Sequence, residues 1–306
     1  MNKENNREVE TSGIKRSKYE IDMCNGTIMD KLISFALPLM LSGVLQLMFN
    51  AVDIIVVGRF TGSQALAAVG STSALINIFT NLFIGISLGS NVLAARFYAA
   101  GKSKEMSETV HTSITIALIS GIIMAFVGAI FAKGALELMD TPDDVIDQSV
   151  LYMRIYFMGM PFFMLYNYGA AILRAVGDTK RPLLFLIISG ITNAVLNLIL
   201  VIVFGLGVAG VAIATVIAQL ISCVLVLACL CRSQSSYRLY FNKLGIRGDY
   251  MVQIFKVGVP AGIQSVVINF SNALLQSSVN SFGSTAMAGY TAANNLLGFL
   301  YVSINS

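Results

Sequence analysis

Charge is scarce in this sequence: 12% of its 306 residues are Asp, Glu, Lys or Arg, while 56% are hydrophobic. A soluble domain carries roughly 25% charged and about 45–50% apolar residues. Water is therefore not the main solvent of this chain, and soluble α/β folds are excluded. There is one histidine, His111, and no GxSxG, HExxH, GxxxxGK[ST] or strand-following GxGxxG pattern. That removes the usual equipment of hydrolases, zinc enzymes and nucleotide-binding proteins, so the chain is not read as an enzyme. The four cysteines, Cys24, Cys223, Cys229 and Cys231, form no CxxC pair and no metal-ligand spacing. They read as reduced and structural, and no cofactor is expected.

What the sequence does hold is long apolar runs. They extend from Leu32 to Val57, Ala65 to Ala95, Val110 to Ala132, Val150 to Leu173, Pro182 to Phe204, Val208 to Cys231, Met251 to Val279 and Ala286 to Ile304. At 1.5 Å per helical residue, runs of about 20 residues cross a hydrocarbon core roughly 30 Å thick. Eight spans of an all-α membrane protein are predicted, so membrane lipid is an expected partner. Turn chemistry separates them, as in Gly58-Arg59-Phe60-Thr61-Gly62-Ser63, Thr141-Pro142-Asp143-Asp144 and Gly205-Leu206-Gly207. Polar residues precede the first span, and nothing there has the form of a secretory signal.

The cations define an orientation. Seventeen of the 20 Lys and Arg residues lie in the tail and in the second-to-third, fourth-to-fifth and sixth-to-seventh connections, leaving Arg59, Lys133 and Arg154 on the other side. The positive-inside rule makes the crowded side, and with it the N-terminus, cytoplasmic in a multi-pass protein of the cell membrane. The net charge of +4 does not indicate nucleic acid, because the basic residues are scattered among loops.

The chain also matches itself. Ala36-Leu37-Pro38 and Asn50 fall on Gly258-Val259-Pro260 and Asn272, 222 residues later, and Gly62-Ser63-Gln64-Ala65-Leu66-Ala67 falls on Gly283-Ser284-Thr285-Ala286-Met287-Ala288. The seventh span thus restarts the first, and an even number of spans per copy gives two parallel repeats related by an axis along the membrane normal. The expected organisation is a tail at 1–30, a complete six-helix lobe at 31–231, a linker at 232–249 and the first two helices of a second lobe at 250–306. A complete second copy implies four further spans beyond Ser306.

Asp53 is the one acidic residue inside an apolar span. An ionisable group at such depth costs about 2.5–3.5 kcal/mol on insertion scales and normally faces a protein interior or a watery cavity. Ser42, Gln46, Asn50 and Asp53 share one helical face, as do Ser189, Asn193 and Asn197 in the fifth span and Thr215 and Gln219 in the sixth. Asn, Gln and Thr in membranes often serve only as interhelical glue. A carboxylate among them, with neutral oxygens to complete a hard-cation shell or to bind the protonated acid, points instead to a cation or proton site. In the seventh span Ser265, Asn269, Asn272, Gln276 and Asn280 form a further stripe, and with Gln46 and Asn50 this is the candidate substrate path. Tyr156, Phe162, Phe163 and Tyr166 around Pro161 are candidates to receive an aromatic substrate. The spacings Gly85-xxx-Gly89 and Gly258-xxx-Gly262 permit close helix approach. His111, opening the third span, reads as an interfacial histidine.

Several segments together carry a resemblance. They are Pro38 with Asn50-Ala51-Val52-Asp53 and Val57-Gly58-Arg59, then Ala67-Ala68-Val69-Gly70, Arg174-Ala175-Val176-Gly177-Asp178-Thr179-Lys180, Asn193-xxx-Asn197, and Gly205-Leu206-Gly207-Val208-Ala209-Gly210-Val211-Ala212-Ile213-Ala214-Thr215. In this order the chain resembles the multidrug and toxic compound extrusion (MATE) family, in its bacterial DinF-like branch. The resemblance implies twelve helices in two lobes around a central cleft and export of small amphipathic, often cationic compounds driven by inward flow of Na+ or H+. It also implies a protein that is a monomer when full length. Asp53, Asn193, Asn197 and Thr215 match the family's cation-site positions, with Asn197 standing where many members carry Asp. One charge fewer weakens a hard-cation site. Two rival readings are a lipid-linked saccharide flippase of the same superfamily and a non-transporting membrane receptor or structural protein. The first calls for cationic residues in the cavity, whereas Arg59, Arg154 and Arg174 lie near span ends.

Overall fold

A computed structural model describes Ile21 and residues 27–139 and 142–280. The expected eighth span, Ala286 to Ile304, lies outside the described residues. Eight helices follow one another: α1 (Ile28–Phe60), α2 (Ser63–Ala99), α3 (Ser103–Glu137), α4 (Asp143–Met158), α5 (Met160–Ala175), α6 (Lys180–Leu198), α7 (Gly207–Arg232) and α8 (Gly248–Asn280). No strand occurs among the described residues. Six of these helices are long and apolar enough to cross a membrane: α1, α2, α3, α6 with the turn that follows it, α7 and α8.

The fourth expected span is corrected. In place of one helix from Val150 to Leu173 there are two 16-residue helices that meet at Gly159, whose backbone is still helical (φ −79°, ψ −10°). Pro161 supplies the cause, because its ring removes a backbone donor and crowds the preceding turn. Gly159 fits the place: a side chain there would press on Gln219 Oε1, 2.8 Å from an added Cβ, and on Val216 of α7.

Apolar side chains lie both inside the bundle and on its outer surface. On α3 the buried face mixes small residues, Ala117, Gly121, Gly128 and Ala132, with Ile114, Met124 and Leu136, while Ile122, Ile123, Phe126 and Ile130 point outward. Small residues let helix backbones approach where lipid supplies no hydrophobic drive. Among α1–α7, α3 packs on α4 and α5, α5 and α4 pack on α7, and α1 leans mainly on α6. Pro38 and Pro260 lie inside α1 and α8 at corresponding positions of the repeat.

α8 lies along α2. The two glycine pairs meet there: an added Cβ on Gly258 would come 2.6 Å from Ile86 Cα, and one on Gly262 would come 2.6 Å from Leu82 O. Gly85 in turn faces the Gly262 backbone, and Gly89 faces Ile254 O. The two small-residue spacings are thus halves of one seam.

Candidate functional site

Three helices converge on Asp53. It is half-buried on α1, and the side-chain amide of Asn197 on α6 donates to its carboxylate. The same amide faces Asn193 Oδ1 at 3.2 Å, one turn earlier on α6. Asn193 Nδ2 then donates to Thr215 Oγ1 on α7 at 3.3 Å, and that hydroxyl donates to the Val211 carbonyl at 3.0 Å. Asn197 is fully buried and Asn193 nearly so. The chain Asp53–Asn197–Asn193–Thr215 follows from the spacing of four on α6, which stacks the two amides on one face, and from Thr215 lying opposite them on α7.

Two features of this cluster bear on its chemistry. Asn197 Oδ1 is buried with no hydrogen-bond partner among the described residues. A buried acceptor without a partner carries a desolvation cost. Asp53 has no ion-pair partner among the described residues, so its charge meets only neutral groups. Carboxylate, amide and hydroxyl oxygens are what a hard monovalent cation or a proton takes. Among the described residues no group of three His, Cys, Asp or Glu side chains gathers as a resident metal centre would require.

Immediately after Asn197 the helix loosens into a π-helical turn, Ile199–Val203, before Gly205 and Gly207 reverse the chain at positive φ. Such wide turns recur next to functional residues. On the other flank lie Tyr152 and Tyr156 of α4, stacked with centroids 6.1 Å apart. Both are within electrostatic reach of Asp53, and Tyr156 adjoins Gln219. Tyr152 was not singled out in the sequence; its spacing of four from Tyr156 is the signal that places it on the same face.

The remaining candidates are placed as follows. Gln46 and Asn50 are exposed on the open side of α1, and Ser42 donates back to the Pro38 carbonyl at 2.8 Å. The α1 stripe therefore does not enter the cluster as a unit. Tyr166 is buried with its hydroxyl donating to the Pro182 carbonyl at 3.2 Å, a tie between α5 and α6. The side chains of Asn269, Asn272, Gln276 and Asn280 lie outside the described residues. His111 is 4% exposed, two turns into α3 and covered by the segment that leads into α8. Asp178, in the α5–α6 turn, is a second carboxylate removed from solvent, held by Arg181 at 3.0 Å.

Fold and cluster together define a polytopic helical membrane protein with a polar, singly acidic site inside its first half-bundle. The MatE family description matches residues 38–199, more than half of the sequence, and the chain belongs to that family, the multidrug and toxic compound extrusion proteins. It is 36% identical over 275 residues to the "Probable multidrug resistance protein YoeA" of Bacillus subtilis (strain 168), covering 87% of this chain and 59% of that protein. It is 21% identical over 268 residues to the "Multidrug export protein MepA" of Staphylococcus saprophyticus, covering 88% of this chain and 59% of that protein. A solved structure described as the outward-facing conformation of a multidrug resistance MATE family transporter of the MOP superfamily superposes with a TM-score of 0.84 at 22% identity. That match covers 91% of this chain and 62% of that one. The chain thus spans about three-fifths of the length of these relatives.

Proposed function

We propose that the protein to which this chain belongs is a cation-coupled antiporter of the cell membrane, exporting amphipathic, often cationic compounds by alternating access. The N-terminus and the basic end of the bundle face the cytoplasm in this reading, in keeping with the positive-inside distribution of Lys and Arg. The full-length protein works as a monomer. What carries the reading is the Asp53–Asn197–Asn193–Thr215 chain, within which Asn197 Oδ1 is a buried oxygen without a partner among the described residues.

The coupling ion, Na+ or H+, is cargo. Asp53 takes it, with Asn193, Asn197 and Thr215 supplying neutral oxygens or holding the protonated acid by hydrogen bonds. Coupling arises if the ion and the drug favour opposite arrangements of the two lobes, because a ligand shifts a conformational equilibrium only through its differential affinity. Inward movement of one positive charge releases about 2.3 kcal/mol per 100 mV of membrane potential. Drug stands opposite that gain.

The test is Asp53→Asn in the full-length protein, reconstituted in proteoliposomes with a cationic dye. Ion-gradient-driven efflux is expected to vanish while membrane insertion and dye binding remain. Dye efflux at the parental rate would remove Asp53 from the coupling step.

A further inference from the structure

The only histidine of the sequence clasps the segment between α7 and α8 to α3. His111 Nδ1 lies 2.6 Å from the Ser107 carbonyl oxygen, and the backbone N–H of Tyr240 donates to Nε2 at 3.1 Å. A carbonyl only accepts and a backbone N–H only donates, so these two partners define one neutral tautomer, with the proton on Nδ1 and Nε2 bare. The Tyr240 ring stacks on the imidazole at a centroid distance of 6.2 Å and an interplanar angle of 8°. Further along, the Arg247 N–H donates to Thr112 Oγ1 at 3.3 Å and the Arg247 guanidinium lies 3.7 Å from Glu108. Residues 240–247 therefore run along the first turns of α3 directly before α8 begins.

We propose that His111 is a positioning residue that pins the α7–α8 segment to α3 only while its ring is neutral, so that protonation frees the segment and the start of α8. A second ring proton goes to Nε2, where it meets the Tyr240 N–H: two donors face each other and no acceptor remains. Charged side chains stand around the clasp. Lys104 and Glu108 of α3 and Lys243 and Arg247 of the segment line one cavity of about 640 Å³ together with Ser107 and His111. Arg238 and Lys243 lie over the Tyr240 ring at 4.9 and 4.8 Å. Glu105 of α3 and Asp249 of α8 lie near Tyr250, which sits edge-on to Phe97 of α2. From α2, α4 and α5 no charged or titratable side chain is among the described contacts of His111 or the lining of this cavity. Histidine is the side chain whose charge changes across the pH range that cells visit.

The clasp stands apart from coupling at Asp53, and its test needs no transport. Hydrogen exchange at the Tyr240 amide, corrected for intrinsic pH dependence, is measured on the full-length protein in lipid nanodiscs at about pH 8 and about pH 5.5. Protection in the parent is expected to fall by about tenfold or more on acidification. His111→Gln offers a side-chain carbonyl that accepts from Tyr240 at either pH, so its protection persists; His111→Ala lacks the protection at both. Protection in the parent that ignores pH, or the same acid-induced loss in His111→Gln, overturns the proposal.

Discussion

Asn197 donates its side-chain amide to the carboxylate of Asp53, 144 positions earlier in the sequence, and so ties α6 to α1. The contact has mechanical as well as chemical weight. α1 is the least enclosed of the described spans, and α6 is its main neighbour. A polar clasp between a loosely held helix and the body of the bundle is where a bound ion does most to change the helix's position. Both N–H groups of the Asn197 amide are engaged, by Asp53 and Asn193, which leaves Oδ1 without a partner among the described residues.

Asn197→Asp tests that assignment by restoring a second negative charge. Hard-cation affinity rises with the charge of the ligand set, and a gain of about tenfold in Na+ affinity is expected. Sodium-dependent thermal stabilisation of the full-length protein, with choline as the control cation, reads it directly. Identical sodium dependence in parent and variant would place Asn197 outside the ion's shell.

Much of this arrangement is legible in the residues themselves. Asn193 and Asn197 had to share a face because four positions are one helical turn, and Thr215 lies in the neighbouring crossing. Pro38 and Pro260, which the sequence repeat matches, both lie inside helices. Other features depend on contacts that local pattern does not carry. Ser42, Gln46, Asn50 and Asp53 fan across a wide sector of α1, and which edge of that sector meets α6 is decided by packing, so Asp53 turns inward while Gln46 and Asn50 stay open. The apolar run from Val150 to Leu173 conceals its own break, since hydropathy does not register the proline ring that ends one helix and starts the next. His111 finds its partner 129 positions away. Asp178 sits in a turn, where a carboxylate is ordinarily solvated, and only the tertiary fold removes it from water.

Tyr166 separates a structural tie from a substrate contact. Tyr166→Phe keeps the ring and deletes the hydroxyl that binds the Pro182 carbonyl, a loss of about 1 kcal/mol of stability. Dye efflux by the full-length variant is expected to stay within about twofold of the parent, with a small drop in thermal midpoint. A large change in dye affinity with unchanged stability would return Tyr166 to the substrate path.

Asp178 organises the turn into α6. Its carboxylate accepts the Arg181 backbone N–H at 3.1 Å and pairs with the Arg181 guanidinium at 3.0 Å, fully removed from solvent. In Asp178→Asn the helix-capping acceptor survives but the charge is lost, leaving Arg181 without its anion. A destabilisation of about 1.5–3 kcal/mol is expected, seen as a lower melting temperature of the purified full-length protein. A melting temperature equal to the parent's would show that the pair is not holding the turn.

The seam between α2 and α8 makes the sharpest demand on side-chain size, and a control lies on the same helix. Gly85 faces the Gly262 backbone, so any side chain there must push α8 away, whereas an added Cβ at Gly70 has no neighbour within 4 Å. Gly85→Leu is expected to cost about 1–3 kcal/mol through overpacking. Gly70→Leu is expected to be neutral or slightly stabilising, because leucine is a better helix former than glycine. Paired melting curves of the two full-length variants decide the matter. Because residues 233–247 lead directly into α8, separation at this seam should also raise proteolytic cleavage between Ser233 and Arg247 in Gly85→Leu alone. Equal melting temperatures and equal cleavage in both variants would mean that α2 and α8 do not meet at these glycines in the full-length protein.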